Sequence, residues 1–193
     1  MLSIQSDHFA RYFYNFNQTN LLKMNLEKYI RDIPDFPKPG IVFKDITPLL
    51  KDPKALNYCT NELLSLIGTQ KIDKVVGAES RGFLFGTLIA KELNAGFVPI
   101  RKPGKLPYNN VSKSYALEYG FDQIEMHQDA IKKGDLVVLH DDVLATGGTA
   151  KAACELIESL GGIIVQCNFI MQLEFLSGKE KIKQYDVQSV LKF

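Results

Sequence analysis

A chain of 193 residues, 46% of them hydrophobic and 23% charged, has the composition of an ordinary soluble domain and enough length for one well-filled core. Its 23 Lys and Arg against 22 Asp and Glu leave a net charge of +1 with no basic block of five or more; nucleic-acid attraction needs many phosphates neutralised at once, so that class is argued against, while a small anionic ligand is not. No apolar run approaches the roughly 18 residues of a membrane span, and the scattered Cys59, Cys154 and Cys167 offer neither a zinc site nor a disulfide framework, suiting a reducing cytoplasm as small buried side chains.

Residues 1–23 stand apart. The aromatic-rich stretch His8 to Phe16 leads through polar Asn17-Gln18-Thr19-Asn20 to Met24. It lacks the basic start, apolar run and cleavage site of a secretory signal. A packing extension, a disordered tail and residues upstream of a start at Met24 all fit it. From Leu26 onward helix-like and strand-like segments alternate. Asp52-Pro53 is a helix opening, with Asp as cap and Pro in the first turn, and Leu56, Leu63, Leu64 and Ile67 follow at helical spacing. Lys74–Ala78 reads as a buried strand, Phe83–Leu93 as a helix and Gly96–Ile100 as a second strand. Lys102–Lys113 reads as a loop, and Tyr115–Tyr119 and Gln123–Met126 as short strands about a turn at Gly120.

Leu136–His140 is the strongest strand pattern, followed at once by Asp141, Asp142 and a glycine-rich loop. A helix over Ala150–Leu160, ended by Gly161-Gly162, and a strand over Ile163–Leu173 complete the pattern. Such alternation predicts an α/β fold with a mainly parallel sheet covered on both faces, in one domain. Ligands of open sheets bind beyond the carboxyl ends of the strands, so the chemistry is expected just after Ala78, Ile100 and His140.

Thr146-Gly147-Gly148-Thr149, opening a helix after an apolar strand and two acids, is the most informative segment. Glycines let successive N–H groups converge, the threonines add hydroxyl donors, and a helix N-terminus adds a positive dipole end: together, a phosphate cradle. Asp141 and Asp142 can accept hydrogen bonds from two ribose hydroxyls, which points to a sugar phosphate. A solvated turn that merely caps a helix is the bland alternative. No P-loop or Rossmann glycine motif occurs.

Val138 to Thr149 (Val-Leu-His-Asp-Asp-Val-Leu-Ala-Thr-Gly-Gly-Thr) closely resembles the phosphoribosyl-pyrophosphate signature of type I phosphoribosyltransferases. Ile33–Leu50, Glu79–Gly86 and Arg101–Pro107 look specifically like adenine phosphoribosyltransferases, and the resemblance runs from about Leu26 to the end. It implies a type I phosphoribosyltransferase fold over residues 24–193, with a small hood about residues 33–50 and a mobile flap loop about 102–118. The implied reaction joins ribose 5-phosphate from phosphoribosyl pyrophosphate to N9 of adenine. Mg2+ would sit on the donor with no direct protein ligand, in a cytoplasmic homodimer that needs neither nucleic acid nor membrane.

By the same resemblance, Ala145, Thr146, Gly147, Gly148 and Thr149 hold the 5-phosphate, and Asp141 and Asp142 the ribose. Ser80, Arg81, Arg101, Lys102 and Lys105 are expected on the pyrophosphate, and Val42, Phe43 and Lys44 on adenine, with Phe43 stacked on the purine. Many family members carry Arg where Lys44 stands. Glu118 is the candidate acid/base near N7 or N9, with Tyr119 beside it in the flap; Arg81, Asp141 and Asp142 complete the expected catalytic set. His140 is expected to be a packed strand-end residue rather than a proton carrier. The 6-oxopurine enzymes carry an Asp just before Thr-Gly, to exchange a proton with N7; Ala145 stands there instead, which favours adenine. The competing readings are a related transferase for another base and a non-catalytic purine-sensing regulator.

Overall fold

In the computed structural model, which describes residues 23–116 and 121–193, the chain divides into two units, Met1–Glu62 and Leu63–Phe193. In the first, strands β1 (Arg31–Ile33) and β2 (Phe43–Asp45) pair antiparallel with Asp32 opposite Lys44. Opposite charges across the ribbon support that register, with Arg31 Nη2 at 2.6 Å from Asp45 Oδ2 and Lys44 Nζ at 2.7 Å from Asp32 Oδ1. Between the strands, Asp35 Oδ1 accepts from the Gly40 amide at 2.7 Å and closes the turn.

Helix α1 (Thr47–Lys51) follows, then α2 (Pro53–Ile67), which begins as the sequence predicts. Asp52 Oδ1 accepts from the Lys54 and Ala55 amides at 2.8 and 2.9 Å, satisfying two donors that a helix start leaves over.

The second unit is built on a five-stranded, all-parallel sheet in the order β4-β3-β7-β8-β9, flanked by helices. Its strands are β3 (Lys74–Ala78), β4 (Gly96–Ile100), β7 (Leu136–Leu144), β8 (Ile163–Gln172) and β9 (Val187–Lys192). Helices α3 (Gly82–Glu92) and α4 (Gly148–Ser159) follow β3 and β7. Central β7 is buried on both faces over Val137–His140, which explains its continuous apolar run. Its side chains join Val76, Ile100, Ile124, Cys154, Leu156 and Phe169 in the core. An antiparallel hairpin, β5 (Asn110–Ala116) with β6 (Phe121–His127), lies outside the sheet. All three cysteines are buried thiols, and among the described residues no helix is long and apolar enough to cross a membrane.

Two local expectations differ from the structure, and three strands were not expected. Strand β7 runs on through Asp141 and Asp142 to Leu144, because β8 continues to pair with it, Asp141 opposite Phe169 and Leu144 opposite Gln172. Aspartate is depleted in strands, so the sequence reads as a strand end where the ladder goes on. The hairpin begins at Asn110, inside the expected loop, since Val111 and Tyr115 pack against the core and carry polar Asn110 and Ser112 with them. Strands β1, β2 and β9 carried no readable alternation; pairing with neighbours makes them strands.

Candidate active site

The turn from β7 into α4 is shaped by a close backbone contact. Gly147 has φ of +74°, a left-handed conformation that glycine adopts without penalty. A Cβ there would overlap the Gly178 carbonyl, and a Cβ on Gly178 would overlap the Ala145 carbonyl. Gly178 thus backs the turn, 31 positions on from Gly147 in the numbering. Gly147, at the N-cap of α4, has no side chain to cap it, which suits the amides of the first turn, with the dipole end behind them, to a ligand. Thr146 is exposed on the turn.

A cavity of about 170 Å³ opens at this turn, lined by Glu79, Arg81 and residues 141–150. Arg81 reaches it from the start of α3, whose Gly82 lies so close to β7 that a Cβ would strike the His140 carbonyl. Arg81 Nε sits 3.0 Å from Asp142 Oδ2. That contact is an ion pair without hydrogen-bond alignment, and the buried Oδ2 has no hydrogen-bond partner among the described residues. Burial, then the neighbouring Asp142 charge, pushes the Asp141 carboxyl well above its ordinary value. Burial raises Asp142 as well, less far, because Arg81 opposes it. Asp141 still presents part of its surface to the cavity.

Beyond β3, joined to Ser80 by a cis peptide, Glu79 gathers the basic residues of the loop after β4. Its Oε2 lies 3.1 Å from Arg101 Nε and accepts from the Lys102 amide at 2.6 Å, and Lys105 Nζ is 3.7 Å from its Oε1. Partial burial works against the Glu79 charge, but the Lys102 amide and the two cations hold its carboxyl below the usual value. The Lys102 side chain turns instead to the hairpin, pairing with Asp122 and lying 3.4 Å from the Tyr115 hydroxyl.

Residues 46–191 match the phosphoribosyl transferase domain family. The adenine phosphoribosyltransferase of Flavobacterium johnsoniae is 64% identical over 170 residues, covering 88% of this chain and 100% of that one. Its namesake from Methanococcus vannielii is 52% identical, covering 88% and 98%. Among solved structures, the adenine phosphoribosyltransferase of Thermoanaerobacter pseudethanolicus superposes with a TM-score of 0.85 at 52% identity, over 88% of this chain and 100% of that one. The Saccharomyces cerevisiae enzyme, complexed with an imino-altritol bisphosphate and adenine, gives 0.81 at 40% identity, over 85% and 95%.

The chain belongs to the adenine phosphoribosyltransferase family.

For this family member the structure brings Arg81, Asp141, Asp142 and Ala145–Thr149 to one cavity, with Ser80 beside them in sequence. Arg101 and Lys105 join through Glu79, which lines the same cavity. Of the three strand ends expected to carry chemistry, those of β3 and β7 open on the cavity, while β4 leads to Arg101, which lies outside its lining and pairs with Glu79 on its wall. Val42, Phe43 and Lys44 lie at β2 in the first unit, where Phe43 meets Phe36 edge-on at 5.2 Å. Glu118 and Tyr119 lie outside the described residues.

Glu79, Tyr115, Asp122 and Gly178 were not singled out from the sequence. Glu79 had a signal as the first residue after a strand that points into the site, and Tyr115 had one as part of Ser114-Tyr115-Ala116-Leu117, which resembles the end of the family's flap. Among the described residues no group of three or more Asp, Glu, His or Cys is placed to hold a metal. The carboxylates of Asp141 and Asp142 line the cavity where they could accept from ribose hydroxyls and water, which fits a magnesium ion held by the donor with no direct protein ligand.

His140 is fully buried on β7, its Nδ1 3.2 Å from Asn168 Oδ1 and its Nε2 without a partner. Burial lowers its pKa from 6.5 to about 4, so the ring is neutral near pH 7. A base held neutral adds stability in full above its unfolded value, and that part is lost as pH falls from 6.5 towards 4. Urea midpoints measured over that window are expected to fall less steeply for His140→Gln than for the parent chain, the difference approaching ~3 kcal/mol. Parallel curves would show that His140 does not titrate there.

Proposed function

We propose that this chain transfers ribose 5-phosphate from phosphoribosyl pyrophosphate to N9 of adenine, giving AMP and pyrophosphate in purine salvage. The carrying observation is one cavity in which a cation, two carboxylates and a glycine-rich helix start face a common space. Those are the charges that a sugar with a phosphate at one end and a diphosphate at the other requires.

In this reading the amides of Gly147–Thr149 and the hydroxyls of Thr146 and Thr149 grip the 5-phosphate. Asp141 and Asp142 accept hydrogen bonds from the ribose 2- and 3-hydroxyls and lie where positive charge grows as the bond from the anomeric carbon to pyrophosphate breaks. Arg81, beside Ser80, neutralises the departing diphosphate with a planar fork of donors. Arg101 and Lys105 add charge beside it, exchanging Glu79 for phosphate oxygens, while Lys102 adds its charge from its place against Tyr115 and Asp122. The charges are in place before the bond breaks, so little reorganisation is needed in the transition state. Magnesium, carried on the donor, supplies further neutralisation of the diphosphate when bound.

Adenine is read by Phe43, stacking on its face, and by the main chain of Val42 and Lys44. Lys44 already pairs with Asp32 across the β1–β2 ribbon, which suits a role for its backbone rather than its ammonium. Glu118 moves or holds a proton near N7 or N9, and Tyr119 closes the flap with it, keeping water from the ribosyl cation. A cytoplasmic location suits the three buried thiols, and a homodimer rests on family resemblance alone.

Ala145 lines the cavity where a 6-oxopurine enzyme needs a carboxylate. Incubation with donor, magnesium and single bases is expected to yield AMP and pyrophosphate from adenine at least ~10² times faster than the corresponding product from hypoxanthine, since a lost polar contact discriminates strongly. Comparable rates with the two bases would defeat the assignment of adenine.

A further inference from the structure

We propose that Tyr115 is a positioning residue that couples the two phosphate ends of the donor, its hydroxyl tying Lys102 on the diphosphate side to Thr149 in the 5-phosphate turn. The inference rests on the donor-binding roles given above for Lys102 and Thr149, and it adds a residue that touches neither end itself.

Four side chains from four segments meet at one phenolic oxygen. On β5, the Tyr115 hydroxyl donates to Asp122 Oδ2 of β6 at 2.9 Å. It accepts from Thr149 Oγ1, in the first turn of α4, at 3.1 Å. Lys102 Nζ, on the loop after β4, lies 3.4 Å from the same oxygen and pairs with the same carboxylate. Thr149 lines the cavity, and the Lys102 backbone is held by Glu79, which also lines it. The cluster therefore bridges the two walls of the site.

Counting protons gives the bridge a direction. A phenol has one proton, committed here to Asp122, and its lone pairs take what Thr149 and Lys102 offer. Thr149 also has a single hydroxyl proton. A phosphate seated in the turn is a charged acceptor and the stronger one, so it takes that proton. The Tyr115 oxygen is then left to accept from Lys102 alone. Filling the 5-phosphate turn thereby fixes the ammonium against Tyr115 and Asp122, at the side where the diphosphate arrives. Without the phenolic oxygen, the Lys102–Asp122 pair cannot sense the turn.

Tyr115→Phe removes that oxygen while keeping the ring, which packs against the core. A second tie between hairpin and helix, Lys113 Nζ to Glu155 Oε2 at 2.7 Å, supplies the control, because Lys113→Met loosens the docking and spares the phenol. For the parent chain and both variants, the test measures KM for phosphoribosyl pyrophosphate and for adenine. It also measures pyrophosphate affinity by titration calorimetry with and without saturating ribose 5-phosphate.

Tyr115→Phe is expected to raise the donor KM about tenfold, as for loss of a hydrogen bond to a charged group, and to leave the adenine KM within about twofold. Ribose 5-phosphate is expected to tighten pyrophosphate at least about threefold in the parent chain and not in Tyr115→Phe. Lys113→Met should behave as the parent does. A donor KM for Tyr115→Phe within about threefold of the parent's, no coupling in the parent, or a Lys113→Met variant that matches Tyr115→Phe would each overturn the inference. Absence of AMP from the parent chain with adenine and donor would instead sink the proposed reaction, a result separate from all of these.

Discussion

Arg81→Ala is expected to lower turnover at least ~10²-fold while the chain stays folded, the usual loss when a preorganised charge contact to the transition state is removed. Arg81 is one-third exposed towards the cavity, so its charge is available to a diphosphate, and its Nε stands 3.0 Å from Asp142 Oδ2. Truncation removes both interactions. The departing pyrophosphate loses its nearest fork of donors, and the buried Asp142 loses the cation that opposes the effect of burial.

Stability should fall by only ~1 kcal/mol, because an arginine this exposed is screened, unlike a member of a fully buried pair. Arg81→Lys, which keeps the charge and discards the fork, should fall between the two. Steady-state kinetics beside circular-dichroism melting separates these effects. Near-normal turnover in Arg81→Ala would remove Arg81 from the catalytic set.

Asp142→Asn is expected to cut turnover by ~10²–10³ through loss of negative charge near the ribosyl cation, and to leave the fold no less stable at neutral pH. That second half follows from the direction of the pKa shifts. Burial raises both members of the pair, Asp141 further than Asp142. An acid whose folded value lies above its unfolded 3.8 contributes stability that is fully present below 3.8 and lost as pH rises through the folded value.

Above 3.8 the buried pair therefore works against folding, whether by keeping a proton that the unfolded chain gives up or by holding charge away from water, and neutral asparagine relieves it. Asp141→Asn should melt higher than the parent chain at pH 7, by roughly 2–4 °C per kcal/mol relieved, with the gain shrinking towards pH 3. This slope is opposite in sign to that of His140, so the two groups are separable by pH. A lower melting temperature at pH 7 for both asparagine variants would refute the account of the acid pair, and unchanged turnover in Asp142→Asn would deny it a part in catalysis.

What the linear sequence determined by itself was whatever depends on neighbours along the chain. The Asp52 cap of α2, the buried run of β7, the glycine-rich turn after it and the helix start behind that turn are set by side-chain oxygens, apolar periodicity and glycine freedom within a few residues. The phosphate turn and the paired acids were legible for that reason, as was the placement of Arg81 just past a buried strand. The family motifs extended the reading to the base and the flap.

Tertiary structure alone decided how the charges are shared. Glu79 takes Arg101 and Lys105 from 22 and 26 positions away, Tyr115 joins Thr149 across 34, and the Gly178 backbone shapes the turn at Gly147. The continuation of β7 through two aspartates depends in the same way on the ladder that β8 supplies. None of these has a period or a local signature, because each depends on distances that exist only after the sheet has assembled and brought its strand ends side by side.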